Sequence, residues 1–574
     1  MRGRGGLMPY AHVSCAAVTQ RPRDRPHPAP GTEPVSGGFD ARSLAVVVFL
    51  GFVAVSLLLC GLAAADQDDP EHFYAGGGAA LGPAGSGLAI AGDYLSAATL
   101  LSTTGSVALA GFDGVLFALA TVASLALVLR VLAEPMRRSG VFTLGDFLAD
   151  RLGDPSVRRA LGITTLVVLT PLLLVQLATA GRVMAAMFGL PDGALTGCTV
   201  AGGALMVCYS AVGGMRGTGY VQILKVAVVL AAVPLLAGLV LARFGWNPFA
   251  LFDAARRGSG AGGAYARPGL QFGHGLTGAL DLLGFQLTLL LGAACMPHIT
   301  MRLHPMRDRR TVRRATVWAV VPVAVLCAGV VVAGLGASAL LGHKVIRGAD
   351  PAGGTALLLV TGALDPGAGG PRESLLFACV ACAVFATTLA AVAGITLAAA
   401  SSLARDFAAR ARARTEARSD RSAGREILRA RLAVVLTGAV SVWASTYTHD
   451  RNPQVLLSLS FAAAASVLPP VLLYALFRPG FTARGVRWTV YGTLPLIAVL
   501  MVFSPAFSGT PVALFPARDF HWFPLQTPGL VTIPAGFLLG YLGSRTGRTG
   551  RSGRTGRTGR AGRAPGKRAT NLVQ

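Results

Sequence analysis

Charge is what this sequence has least of. Only 13% of its 574 residues are Asp, Glu, Lys or Arg, against about 25% in a soluble globular protein. With 53% hydrophobic residues, that shortage excludes an ordinary soluble fold. Acidic residues are scarcer still, 26 against 51 basic ones, for a net charge of +25. The arginines gather in loops and tails between apolar runs, and no basic patch is interleaved with aromatics. They therefore read as positively charged cytoplasmic loops, with no nucleic acid partner. Cysteine is sparse: Cys60, Cys198, Cys208, Cys295, Cys327, Cys379 and Cys382 are scattered through apolar runs. Even the close pair Cys379 and Cys382 lacks partner ligands, so packing is the reading, with neither a metal site nor a disulfide framework. No HExxH helix and no GxSxG elbow occurs, so no enzyme is expected and no cofactor.

What is present is a succession of apolar runs of about 20 residues, the length that crosses roughly 30 Å of hydrocarbon. They fall at 43–65, 84–110, 112–133, 160–187, 193–211, 219–242, 276–300, 315–341, 373–403, 430–447, 454–476, 488–505 and 527–543. The fold class is an all-α polytopic membrane protein with about thirteen transmembrane helices. Residues 1–42, rich in Arg and Pro, form a tail that cannot support an ordered fold. The transmembrane domain covers 43–545, and 546–574 is a basic low-complexity cytoplasmic tail repeating Arg-Thr-Gly, a candidate for contact with anionic lipid. Arginine is densest after the third, seventh, ninth and eleventh spans and in the C-terminal tail. This puts the N-terminus outside and the C-terminus in the cytoplasm of a cell membrane. In the loop after the third span, Thr143 caps a short interfacial helix.

Two spans are interrupted. The second holds Asp93 and Tyr94 near its middle, just after Gly85, Gly87 and Gly92. The seventh holds Gly284, Gly292 and Pro297, with Gln286 and His298. A carboxylate at mid-membrane is expensive and marks a functional position, and a broken helix is tolerated where it lines a polar cavity. The interrupted spans lie five apart, an odd number, so the second unit enters from the opposite side. Two units, about 84–242 and 276–476, then form an inverted repeat with solute and ion between the breaks.

The motifs at these places resemble the sodium:solute symporter family, most closely its cation/acetate (monocarboxylate) symporter branch. Gly87 to Ala98, reading GLAIAGDYLSAA, is similar to the branch's second-span motif, and Gly213-Gly214-Met215-Arg216-Gly217-Thr218 with Val221-Gln222 to its fifth-to-sixth-span signature. Met296-Pro297-His298-Ile299-Thr300-Met301-Arg302 resembles its seventh-span Pro-His-Ile-x-x-Arg motif, and Leu389 to Ala398, followed by Arg405-Asp406-Phe407, its ninth span. The resemblance implies a core of the inverted five-helix-repeat, leucine-transporter type. It implies a secondary active symporter that couples entry of a cation to uptake of acetate or a similar short monocarboxylate.

It also implies a cation site built from the carbonyls of Gly92 and Leu95 with Thr387, Ala390 and Ala391 across from them. Here the chain departs from its sodium-coupled relatives. Ala390 and Ala391 carry no hydroxyl, and Thr218-Gly219 replaces a Thr-Asp pair. Sodium and proton both stay open as the coupling ion, with Asp93 the candidate proton carrier. Position suggests Tyr94, Ser96, Thr99, Gly292 and Ala293 for the carboxylate. The competing readings are a symporter of the same family for another small solute and a transporter-like membrane sensor.

Overall fold

A computed structural model describes residues 41–64, 73, 81–137, 143–273, 275–304, 306, 308–365, 374–407, 420–448, 453–510 and 513–552. The expected N-terminal tail and the tail beyond 552 lie outside the described residues. The N-terminal unit Met1–Phe39 falls there, and the fold is that of the unit Asp40–Gln574.

The apolar runs become helices: α1 (Ala41–Ala64), α2 (Gly82–Tyr94), α3 (Ala97–Ala110), α4 (Phe112–Val131), α5 (Leu144–Leu152), α6 (Ser156–Phe188), α7 (Leu195–Arg243), α8 (Gly275–Gly292), α9 (Arg309–Leu341), α10 (Leu375–Ser402), α11 (Asp420–Ser445), α12 (Pro453–Phe477), α13 (Ala483–Val502) and α14 (Gly529–Ser552). Among the described residues, ten helices are long and apolar enough to cross a membrane by themselves. One of the ten, α7, is two spans joined at Gly214, the single residue inside it with non-helical angles (φ 52°, ψ −157°). The broken pair α2–α3 adds one span and α14 another, giving thirteen in all.

Gly213 to Gly217 is expected to form a turn between separate helices. In the structure only Gly214 leaves the helix, and the chain resumes at once. Glycine is required there by conformation, because side chains rarely adopt a positive φ with such a ψ. At Gly213 space is the constraint, since a Cβ would lie 2.8 Å from Cys60 Sγ on α1.

Capping groups mark the remaining boundaries. Ser96, extended at φ −112° and ψ 156°, accepts the Thr99 N–H and starts α3 afresh. Thr143 accepts the Asp146 N–H to start α5, as its sequence position suggests, and Gly153 ends that helix in the left-handed conformation. After α8, residues 293–296 are not helical, and Pro297 opens the next short turn, Pro297–Thr300.

Helix α10 is the axis of the molecule. Of its spanning window 83% is buried, against 22% for α1, whose Leu58 and Leu62 are exposed as a lipid-facing helix requires. Packed against α10 are α6 and α7. Short side chains make this possible: Ala390, Ala391, Ala393 and Gly394 let neighbouring backbones come close. The described protein is a multi-pass membrane fold with two interrupted spans facing that axis.

Candidate functional site

The interruption of the second span takes two residues, Leu95 and Ser96, between the end of α2 and the start of α3. Two carbonyls at this break, those of Gly92 and Leu95, receive the same donor. Lys225 Nζ, from the second half of α7, donates to Gly92 O and, at 2.7 Å, to Leu95 O. The lysine is completely buried.

One turn earlier on α7, Gln222 Nε2 donates to Asp93 Oδ1 at 2.5 Å and to Ala390 O at 2.8 Å, tying α2 to α10. The other Asp93 oxygen is paired with Arg302 Nε, and both side chains are nearly inaccessible. His298, on the turn after α8, lies against the Asp93 backbone and within electrostatic reach of Arg302 and Lys225. The space is tight on every side. A Cβ at Gly394 would sit 2.6 Å from Asp93 Oδ1, and one at Gly92 would sit 2.6 Å from Gln222 Cβ.

This buried cluster holds Lys225 and Arg302 against the single carboxylate of Asp93. Arg302 is paired with that carboxylate, and the Lys225 amine is held by backbone carbonyls. Beside the cluster lies a narrow cavity with about 30 Å³ of room for a water-sized molecule, lined by Asp93, Tyr94, Ser96, Thr99, Gln176 and His298 among others. Both amide atoms of Gln176 are buried without a hydrogen-bond partner, as is Nδ1 of His298. Buried polar atoms left unpaired cost about 1–3 kcal/mol each, which a polar solute in the cavity would offset.

The residues expected to hold a cation are gathered around the break but do not form a bare ion seat. Gly92 and Leu95 turn their carbonyls to Lys225. Ala390 gives its carbonyl to Gln222, and Ala391 lines the cavity. Thr387 Oγ1 donates within its own helix to Ala383 O, at 2.7 Å. A sodium ion at these two carbonyls would have to share them with the lysine amine. A second unit charge about 4 Å from the ammonium would be opposed by about 4 kcal/mol at an effective dielectric of 20.

Asp93, the candidate proton carrier, is the shared acceptor of a guanidinium and an amide. Of the residues suggested for the solute, Tyr94, Ser96, Thr99 and Ala293 line the cavity. The Tyr94 hydroxyl is spent on Thr121 O at 2.6 Å, while the Ser96 and Thr99 hydroxyls meet at 2.9 Å. Gly292 is not among the lining residues. Its Cα faces α12, where a Cβ would lie 2.5 Å from Phe461 O, so that glycine is a packing contact.

Lys225, Arg302 and Gln176 had no assigned role in the sequence reading. For Lys225 the signal was there: a lysine well inside the apolar run 219–242, where a charge demands a partner. Gln176 gave a weaker one, as an amide inside the fourth span.

At one end of α10 a second polar cluster forms. Asp406 accepts from Thr143 Oγ1 at 2.8 Å and from Ser402. Asp146 pairs with Arg158 at 3.0 Å and Arg405 at 3.1 Å. A Cβ at Gly145 would lie 2.5 Å from Asp406 Oδ1. The short helix α5 is thereby fastened to the end of the central helix.

Comparison with known proteins gives a consistent answer. The profile described as Sodium:solute symporter family matches residues 73–492. A protein of Corynebacterium glutamicum named Monocarboxylic acid transporter is 32% identical over 525 residues, covering 89% of this chain and 93% of its own length. Uncharacterized symporter YwcA of Bacillus subtilis is also 32% identical, covering 87% and 94%. Among solved structures, the substrate-bound outward-open state of a sodium-coupled sialic acid symporter superposes with a TM-score of 0.64, over 88% of this chain and 98% of that one. Its sequence identity is 14%, so that likeness speaks for the fold.

Proposed function

The chain belongs to the sodium:solute symporter family, and on that premise we propose that it is a secondary active symporter bringing acetate or a similar short monocarboxylate into the cell together with a cation. The observation that carries the solute class is the buried pair of basic groups, Lys225 and Arg302, packed around Asp93 on the cavity wall. Two basic groups against one carboxylate suit a bound monoanion, in a region where an unbalanced charge is costly. The Ser96 and Thr99 hydroxyls, the Gln176 amide and the His298 ring supply hydrogen-bonding groups at the cavity wall. Phe117, Leu172, Leu289 and Phe461 supply an apolar wall for a short alkyl chain. The name of the Corynebacterium relative agrees with this class.

In the proposed cycle, solute and cation enter together, and the inverted five-helix repeats rock about the break to open the cavity to the other side. The arginine-dense loops and the basic tail belong on the cytoplasmic side, where the tail meets anionic lipid, and the N-terminus outside.

Counterflow in proteoliposomes tests the solute class. Vesicles loaded with unlabelled acetate are expected to draw in labelled acetate, and propionate and pyruvate to compete. Competition by sugars or neutral amino acids, with none by monocarboxylates, would overturn the assignment.

A further inference from the structure

The cation seat at the break of the second span is already taken by the chain itself. In an interrupted helix the freed carbonyls are what receives a coupling cation. Here two of the freed carbonyls, Gly92 O and Leu95 O, accept from one buried ammonium. Its stem is part of α7, and its neighbour Gln222 holds Asp93 and the α10 backbone in the same layer. The opposite wall, on α10, offers alanine at 390 and 391 and no carboxylate. An ammonium has three N–H donors and no need of a full oxygen shell. A free metal ion has no donors of its own and must collect oxygens from the protein. The alanine wall therefore suits the first occupant and not the second. The charged and titratable groups around Lys225 are Asp93 on α2 and His298 and Arg302 on the turn after α8.

We propose that Lys225 is a tethered cation: its ammonium takes the place of a sodium ion between the Gly92 and Leu95 carbonyls, so that transport proceeds without sodium at this seat. The tie between the broken span and α7, which a diffusible ion would make and release, is made by a side chain. With sodium removed, the proton is the cation left to drive accumulation. This deepens the symporter reading and rests on it.

The test has two arms. In the first, the full-length protein in detergent is melted in sodium chloride and in N-methylglucamine chloride at equal ionic strength and pH. Equal melting temperatures are expected. A rise specific to sodium shows a ligand bound to the native state and overturns the proposal. This arm needs no knowledge of the solute.

In the second arm, labelled pyruvate and acetate are offered to proteoliposomes, with passive entry of the free acid subtracted using protein-free vesicles. Replacing all sodium is expected to change initial uptake by less than about twofold. An inward proton gradient of one pH unit, coupled one to one, is expected to give about tenfold accumulation, since one unit corresponds to 1.36 kcal/mol. Lys225→Met is expected to lose that accumulation, and Lys225→Arg to remain sodium-independent. Accumulation that follows the sodium gradient, or that survives Lys225→Met undiminished, overturns the proposal. If no carboxylate enters under either gradient or in counterflow, the solute reading fails, and the melting comparison still decides whether Lys225 holds the seat.

Discussion

Arg302 and Asp93 are neutralised by each other, in a site with almost no access to water. Replacing one member breaks a buried, hydrogen-bonded pair, at a cost of about 3–5 kcal/mol. Arg302→Gln is therefore expected to lower the melting temperature sharply and to abolish uptake, whereas an exposed change such as Arg309→Gln on α9 leaves both near wild type. Gly394 makes a different kind of test, because it removes no interaction. Its Cα faces Asp93 Oδ1 and Gln222 Nε2, with a new Cβ falling 2.6 and 3.3 Å away. Gly394→Ala must push the carboxylate off its amide, at about 1–3 kcal/mol for overpacking. The expected result is loss of transport with the protein still folded, read by uptake and melting together.

Helices in this protein work through the places where they stop. Ser96 caps α3 and closes the break from one side, so Ser96→Ala is expected to cost about 1 kcal/mol of stability. It also takes a hydroxyl from the cavity wall, and a raised KM for the carboxylate would accompany the fall in melting temperature. Thr143 has two tasks: it caps α5 and donates to Asp406 at the end of α10. Thr143→Ala is expected to cost more than a cap alone, about 2 kcal/mol. Thr143→Ser restores both bonds and most of the stability.

At this scale the sequence was a good guide. Hydropathy places most of the spans within a few residues, because a bilayer imposes its demand on every span separately, while the helices Asp420–Ser445 and Gly529–Ser552 run on past their apolar stretches. Gly and Asp in the second span, and Gly and Pro in the seventh, mark the interruptions. The kink at Gly214 was misjudged as a turn between helices, because a pair of glycines reads the same whether one residue or several depart from the helix.

Across the whole molecule, α10 is the axis and the two interrupted spans face it. The short helix α5 is fastened to the end of α10 through Asp406 and Asp146. A single cysteine placed ahead of α1 is expected to react with an impermeant thiol reagent in whole cells, and one in the tail after α14 only after the cells are opened. The opposite pattern would reverse the proposed orientation. Deleting residues 553–574 is expected to leave uptake unchanged and to reduce binding of the protein to vesicles rich in anionic lipid.

The sequence by itself determined that this is a membrane protein, how many times it crosses, where two crossings are broken and which family it joins. Those are local matters of segment length, apolarity and short motifs, and each can be read without knowing what lies opposite. The occupant of the break is not local. Lys225 is 130 residues from Leu95 and 133 from Gly92, and Arg302 is 209 from Asp93. Asp93 drew attention as a lone carboxylate, and only packing of α2, α7 and the turn after α8 supplied its partners. The same packing put the Lys225 amine at the carbonyls where the resemblance implied a cation, because the energy of a buried charge depends on everything within a few ångströms of it and not only on its own segment.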